Sequence, residues 1–100
     1  PQGAAGAAHD RLRAMHVGLA TQKGWHLDES RVDYRVAHDM LADGWSLDDV
    51  VDAIRDRSPN IEERHRDPDG YANRTASRAR NELERQRIRG VERDAGPTLG

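Results

Sequence analysis

Residues 30–58, SRVDYRVAHDMLADGWSLDDVVDAIRDRS, read as two helices joined by a tight turn, and the rest of the chain must pack around them. Ser30 followed by Asp33, and Ser46 followed by Asp49, have capping-box spacing, with Asp in place of the usual Glu or Gln. Gly44 stands where the first helix needs a residue that accepts a left-handed conformation. Trp45, just before the second cap, and Val50, inside the following helix, are spaced for a hydrophobic staple. Val32, Val36, Ala37, Met40 and Leu41 spread an apolar face over nearly half the first helix, with Tyr34 at its margin. So broad a face suits a helix packed on both flanks. Leu47, Val50, Val51 and Ile54 form a narrower stripe on the second helix, with Asp48, Asp52 and Asp56 toward water.

Upstream, Ala8, Leu12, Met15 and Leu19 predict a helix over 8–22, ended by Lys23 and Gly24 and preceded by a Gly- and Ala-rich flexible linker at 1–7. Gly24-Trp25-His26-Leu27-Asp28 resembles Gly44-Trp45-Ser46-Leu47-Asp48 further on, either as an internal repeat or as one corner solution used twice. Either tryptophan could stack a nucleobase. With aromatics at only 4 %, the core is expected to claim at least one. Downstream, Ser58-Pro59 opens a short helix ending near 65–66, and Asp67-Pro68-Asp69-Gly70 is a turn by composition. Ala72, Ala76, Ala79 and Leu83 predict a final helix over 71–89, with Gly90 as terminator and a disordered tail at 91–100. The predicted fold is all-α, a small bundle of four to five helices spanning 8–90.

Composition agrees. In 100 residues the apolar share is 35 % and the charged share 34 %, so burial must be concentrated in a few amphipathic segments. The absence of Cys excludes disulfides and thiolate metal sites and fits a cytoplasmic protein. No apolar run approaches the roughly 20 residues of a membrane span, so no membrane partner is expected. The chain opens on Pro1, which reads as a piece cut from a longer protein. The net charge of −2 hides an asymmetry. Residues 28–56 carry nine acids against three arginines, while 71–93 carry seven arginines against three glutamates. Either the two halves pair, or the basic end is free to meet a polyanion.

Catalytic and metal signatures are missing. The five histidines lack zinc-site spacing, the glycines stand singly at helix ends, and no cofactor-binding loop occurs. His38 and Asp39, as helical neighbours, point some 100° apart and make a poor base and orienter. The feature with chemistry to offer is the outer side of the last helix. At 100° per residue, Tyr71, Arg74, Arg78, Arg85 and Arg89 fall in one sector away from the Ala/Leu stripe, with Arg80 round the side. Such a row could track a phosphate backbone, with Tyr71 stacking a base. Alternatively, Arg78–Glu82, Arg80–Glu84, Glu82–Arg85 and Glu84–Arg87 could simply stabilise an exposed helix. DMLADGWSLDDVVDAI (residues 39–54) also resembles the opening of a helix-turn-helix DNA reader. The short segment that follows it, beginning Pro59-Asn60-Ile61-Glu62-Glu63, is poor material for entering a groove.

DYRVAHDMLADGWS, DAIRDRSPNIEER and YANRTASRA together resemble the helical C-terminal domain of plasmid primases and mobilisation relaxase–primase proteins of the MobA/RepB kind. Related segments occur in large conjugation-associated proteins. The resemblance runs from Ser30 to Ala79, through Ser30, Asp33 and Tyr34, Gly44 and Ser46, Ser58 and Pro59, then Tyr71, Arg74, Thr75 and Ala79. It implies an accessory, non-catalytic bundle attached to a catalytic domain of the same polypeptide. Such a bundle helps engage single-stranded DNA in plasmid replication or mobilisation. Tyr71 and Arg74 are the matching positions it implies for nucleic acid, and Ser30 and Ser46 match as caps. The second and third helices are unusually acidic for that family, and those acidic faces point to a rival: an interaction module, for example a recognition domain for the conjugation or type IV secretion machinery.

Overall fold

Two corners of like construction set the course of the chain. The structure, a computed structural model, describes residues 2–95, with side chains over 3–90. The first helix, α1 (Gln2–Gln22), gives way to Gly24 at φ +69°, and the second, α2 (Glu29–Ala42), to Gly44 at φ +100°. At each corner the glycine N–H donates to the carbonyl three residues back, Thr21 or Leu41. The following tryptophan N–H donates to the carbonyl five back, Ala20 or Met40, which completes a Schellman ending. The corners then differ in length. Ser46 caps α3 (Leu47–Arg57) immediately, accepting the Asp49 N–H at 3.1 Å. After Gly24 the chain runs on to Asp28, whose carboxylate accepts the Ser30 and Arg31 N–H groups. Asp28 rather than Ser30 therefore caps α2, and Asp33 is left without a capping role.

The single-turn α4 (Ile61–Arg64) is entered through Asn60, at φ 54° and ψ 31°, and α5 (Pro68–Ala95) completes the order. Among the described residues there are five helices and no strand. Two expected boundaries move. The sequence at 67–70 starts α5 instead of making a separate turn: the Asp67 carboxylate accepts the Gly70 N–H at 3.0 Å, and Pro68 suits a first helical position. At the other end α5 passes through Gly90 to Ala95, so 91–95 of the expected tail is helical, while 96–100 lies outside the described residues.

α1 also begins earlier than expected. Residues 2–7 are helical rather than a linker, because alanine is the best helix former and the small side chains let α1 approach α3 closely. Ala5 is buried, and the Arg57 guanidinium lies across Gly6, where a Cβ would collide with it. Arg57 then donates to Asp10 at 3.0 Å, tying the two helices at that point.

The core is built as the apolar spacing dictates. Val32, Val36, Ala37 and Met40 of α2 meet Val50, Val51, Ala53 and Ile54 of α3. The alanine stripe of α5 (Ala72, Ala76, Ala79) closes one side, and Ala5 and Ala8 of α1 the other. Trp45, half-buried, packs against this core. The predicted α1 stripe holds only at its start: Leu12 is partly covered, whereas Met15 and Leu19 are 48 % and 42 % exposed. Ile54 is fully buried at the centre. Ile54→Ala is expected to lower unfolding free energy by about 2–5 kcal/mol in chemical denaturation.

Candidate nucleic-acid interface

The helix that carries the arginine row is held in place by a buried carboxylate. Asp33 projects from the apolar face of α2 and is fully buried. The Ser58 hydroxyl lies 2.8 and 2.9 Å from its two oxygens and shares one proton between them. The Tyr71 hydroxyl donates to it at 2.7 Å, and the Arg64 guanidinium stands at 3.4 Å. Arg64 in turn donates to Ser58 Oγ at 2.6 Å and to the Pro59 carbonyl at 3.1 Å. The His65 ring stacks on Tyr71, with centroids 3.6 Å apart and planes 16° from parallel. One acid thus joins α2, the end of α3, α4 and the start of α5. A buried carboxylate is tolerated only when donors surround it in this way. Burial, and then the Asp33 carboxylate, hold the Tyr71 phenol above its ordinary value. Partial burial, and then the adjacent Arg64, hold the His65 imidazole below its own.

This arrangement corrects one expected site residue. Tyr71 is only 8 % exposed, with its ring against His65 and its hydroxyl spent on Asp33, so it offers no face to a base. By residue type and spacing Asp33 and Ser58 suit helix caps, and no local pattern marks Arg64 or His65. One signal was available: Asp33, Val36, Ala37 and Met40 share helical spacing, which puts an acid on a buried face.

The arginines stand as follows. Arg74, Arg78, Arg85 and Arg89 are exposed along one side of α5, while Arg80 is exposed across the alanine stripe from them. Among the described residues, Arg74, Arg78 and Arg80 enter no ion pair. The Arg78 guanidinium lies 5.8 Å from the Tyr34 ring centroid, within cation–π reach. Arg85 pairs with Glu82 at 2.8 Å, and Arg89 reaches the same carboxylate at 3.9 Å. Arg85 above all holds Glu82 below the usual carboxylate range. Of the intrahelical pairs the spacing allowed, only Glu82–Arg85 forms among the described residues. Among the described residues, no arginine of this row pairs with an acid of α2 or α3; of those acids, Glu29 pairs with Arg13, Asp33 with Arg64, Asp39 with His16, and Asp52 and Asp56 with Arg55.

Beside the row, a polar belt crosses three helices. His16 of α1 donates through Nε2 to Asp39 at 2.7 Å, and His38 donates through Nε2 to Gln86 of α5 at 3.0 Å. His38 Nδ1 stays 3.5 Å from Asp39, so the close partner of that acid is His16 and not its neighbour in sequence. No group of three or more potential metal ligands gathers among the described residues, and no helix there is long and apolar enough to cross a membrane. For a helix-turn-helix reader the next helix would be α4, which is one turn long with Ile61 buried, and the outer face of α3 is acidic.

Residues 27–79 match the family described as the RepB DNA-primase C-terminal helical domain. No curated protein and no solved structure matches the chain. The matched segment contains the whole Asp33 cluster, together with Arg74 and Arg78.

Tyr71→Phe removes one hydrogen bond to a charged, buried acceptor while keeping the stacked ring. It is expected to cost about 1.5–3 kcal/mol of stability, and to leave affinity for an oligonucleotide within about two-fold, since stacking worth about 1–3 kcal/mol is not at stake. Denaturation and fluorescence anisotropy on the same variant check both parts.

Proposed function

The chain belongs to the family of RepB DNA-primase C-terminal helical domains, and from that premise we propose that it is the accessory, non-catalytic bundle of a plasmid primase or relaxase. It binds single-stranded DNA along α5 and helps a catalytic domain of the same polypeptide engage its template in replication or conjugative mobilisation. The setting is the cytoplasm. The observation that carries this reading is the freedom of Arg74 and Arg78: both are exposed, on one side of a helix whose phase the Asp33 cluster fixes, and neither is paired to an acid among the described residues. A planar guanidinium in that position presents its donors to phosphate without first breaking an ion pair. Arg85 and Arg89 share Glu82 and contribute more weakly, and Arg80 serves a strand only where it wraps the helix.

A protein-interaction module recognised by the conjugation or type IV secretion machinery is the competing reading. It is favoured by Asp43 and Asp48, exposed near the α2–α3 corner with no ion pair among the described residues. Salt separates the two. Titrating a labelled single-stranded oligonucleotide at two salt concentrations should show affinity falling steeply, and Arg74→Ala/Arg78→Ala should reduce the log–log slope by about 0.7 per lost phosphate contact. Absence of binding at low salt, or binding indifferent to the double substitution, would overturn the proposal.

A further inference from the structure

The longer of the two Gly-Trp corners leaves its tryptophan outside. Trp45 is drawn onto the core, but Trp25 is 57 % exposed beside Leu19 and Leu27, at 42 % and 39 %. These side chains wall a cleft of about 430 Å³ between the end of α1 and the start of α2, within the size range of small-molecule sites. Its other wall carries Arg31 and Arg35, one turn apart on α2, both exposed and neither in an ion pair among the described residues. Lys23 Nζ adds a cation 4.8 Å from the indole centroid. An apolar floor with an exposed indole and two free guanidiniums suits a flat, aromatic, anionic group better than an aliphatic peptide face.

The cleft is not isolated. A shallower hollow of about 340 Å³ shares His16 and Arg35 with it and continues past Tyr34 and Gln86 toward α5. Tyr34, which lines this second hollow, lies under Arg78, so the hollow adjoins both the Trp25 cleft and the arginine row. The acids along that path are already engaged: Asp28 by backbone N–H groups, Asp39 by His16, and Glu82 by Arg85.

We infer that the Trp25 cleft is a base-stacking subsite: one nucleobase of a single strand lies on the indole while Arg31 and Arg35 hold its flanking phosphates. This rests on α5 as the strand-binding surface and extends it across α2 to the α1–α2 corner.

The test compares a twelve-residue oligothymidylate with an abasic oligomer of equal length, by anisotropy, on the parent chain, Trp25→Ala, Trp25→Phe and Arg74→Ala/Arg78→Ala. Trp25→Ala should bind the thymidylate roughly ten-fold more weakly, with an unchanged salt slope and unchanged affinity for the abasic strand. Trp25→Phe should recover part of the loss. Parent-like binding by Trp25→Ala, or equal weakening on both strands, overturns the subsite; the α5 reading then stands if the double arginine variant is weakened. Weakening by Trp25→Ala alone keeps the subsite and removes α5 as the main surface. A parent chain that binds neither strand overturns both, and a cleft used by a protein segment falls under that outcome.

Discussion

Everything in this bundle is arranged about the carboxylate of Asp33. Taking an ionised acid out of water costs several kcal/mol, and the structure offsets that cost only by bringing three donors from three other segments to the same two oxygens. Ser58 marks the end of α3, Arg64 the end of the single-turn α4, and Tyr71 the first turns of α5. Each is useful to the acid only if its segment is in place, so the cluster acts as a geometric condition on the fold. It fixes the rotational phase of α5: with Tyr71 turned inward, Ala72, Ala76 and Ala79 meet the core, and Arg74 and Arg78 must face out. The surface proposed for the strand is thus a consequence of where one buried acid finds its partners.

Much of this was legible in the chain. Apolar spacing located the cores of α2, α3 and α5, the two glycines marked the corners, and Ser46 capped α3 as its spacing to Asp49 required. What was not legible depended on partners distant in sequence. Asp33 and Ser58 carry residue types that also cap helices, and only the tertiary fold shows them to be 2.8 Å apart. Tyr71 lies at the edge of the alanine face, where a helical projection cannot say whether a neighbour will cover it; His65 does. The Gly/Ala run at the start looked like a linker because glycine signals flexibility. Its small residues are instead what allow α1 to lie against α3. The motif residues that carry the primase resemblance divide in the same way. Asp33, Ser58 and Tyr71 hold the fold, and Arg74 is left exposed.

The two Gly-Trp corners make the same point about loops. Their hydrogen bonds are alike down to the i−3 and i−5 carbonyls, yet one tryptophan seals the core and the other stands in solvent. The difference lies in how many residues separate the glycine from the next cap. Trp25, Arg85 and Arg89 all lie outside the segment that matches the family, whereas the Asp33 cluster lies inside it. The proposed path for a strand thus combines Arg74 and Arg78 inside the matched segment with Trp25, Arg85 and Arg89 outside it.

The most direct test of the central claim is a double-mutant cycle joining Asp33→Asn and Ser58→Ala, with stability read from urea denaturation. If the carboxylate and the hydroxyl act as one condition on the fold, the two losses will fail to add, with a coupling of about 1 kcal/mol or more. Additive losses, agreeing within about 0.5 kcal/mol, would contradict the account and leave Asp33 an incidental buried acid.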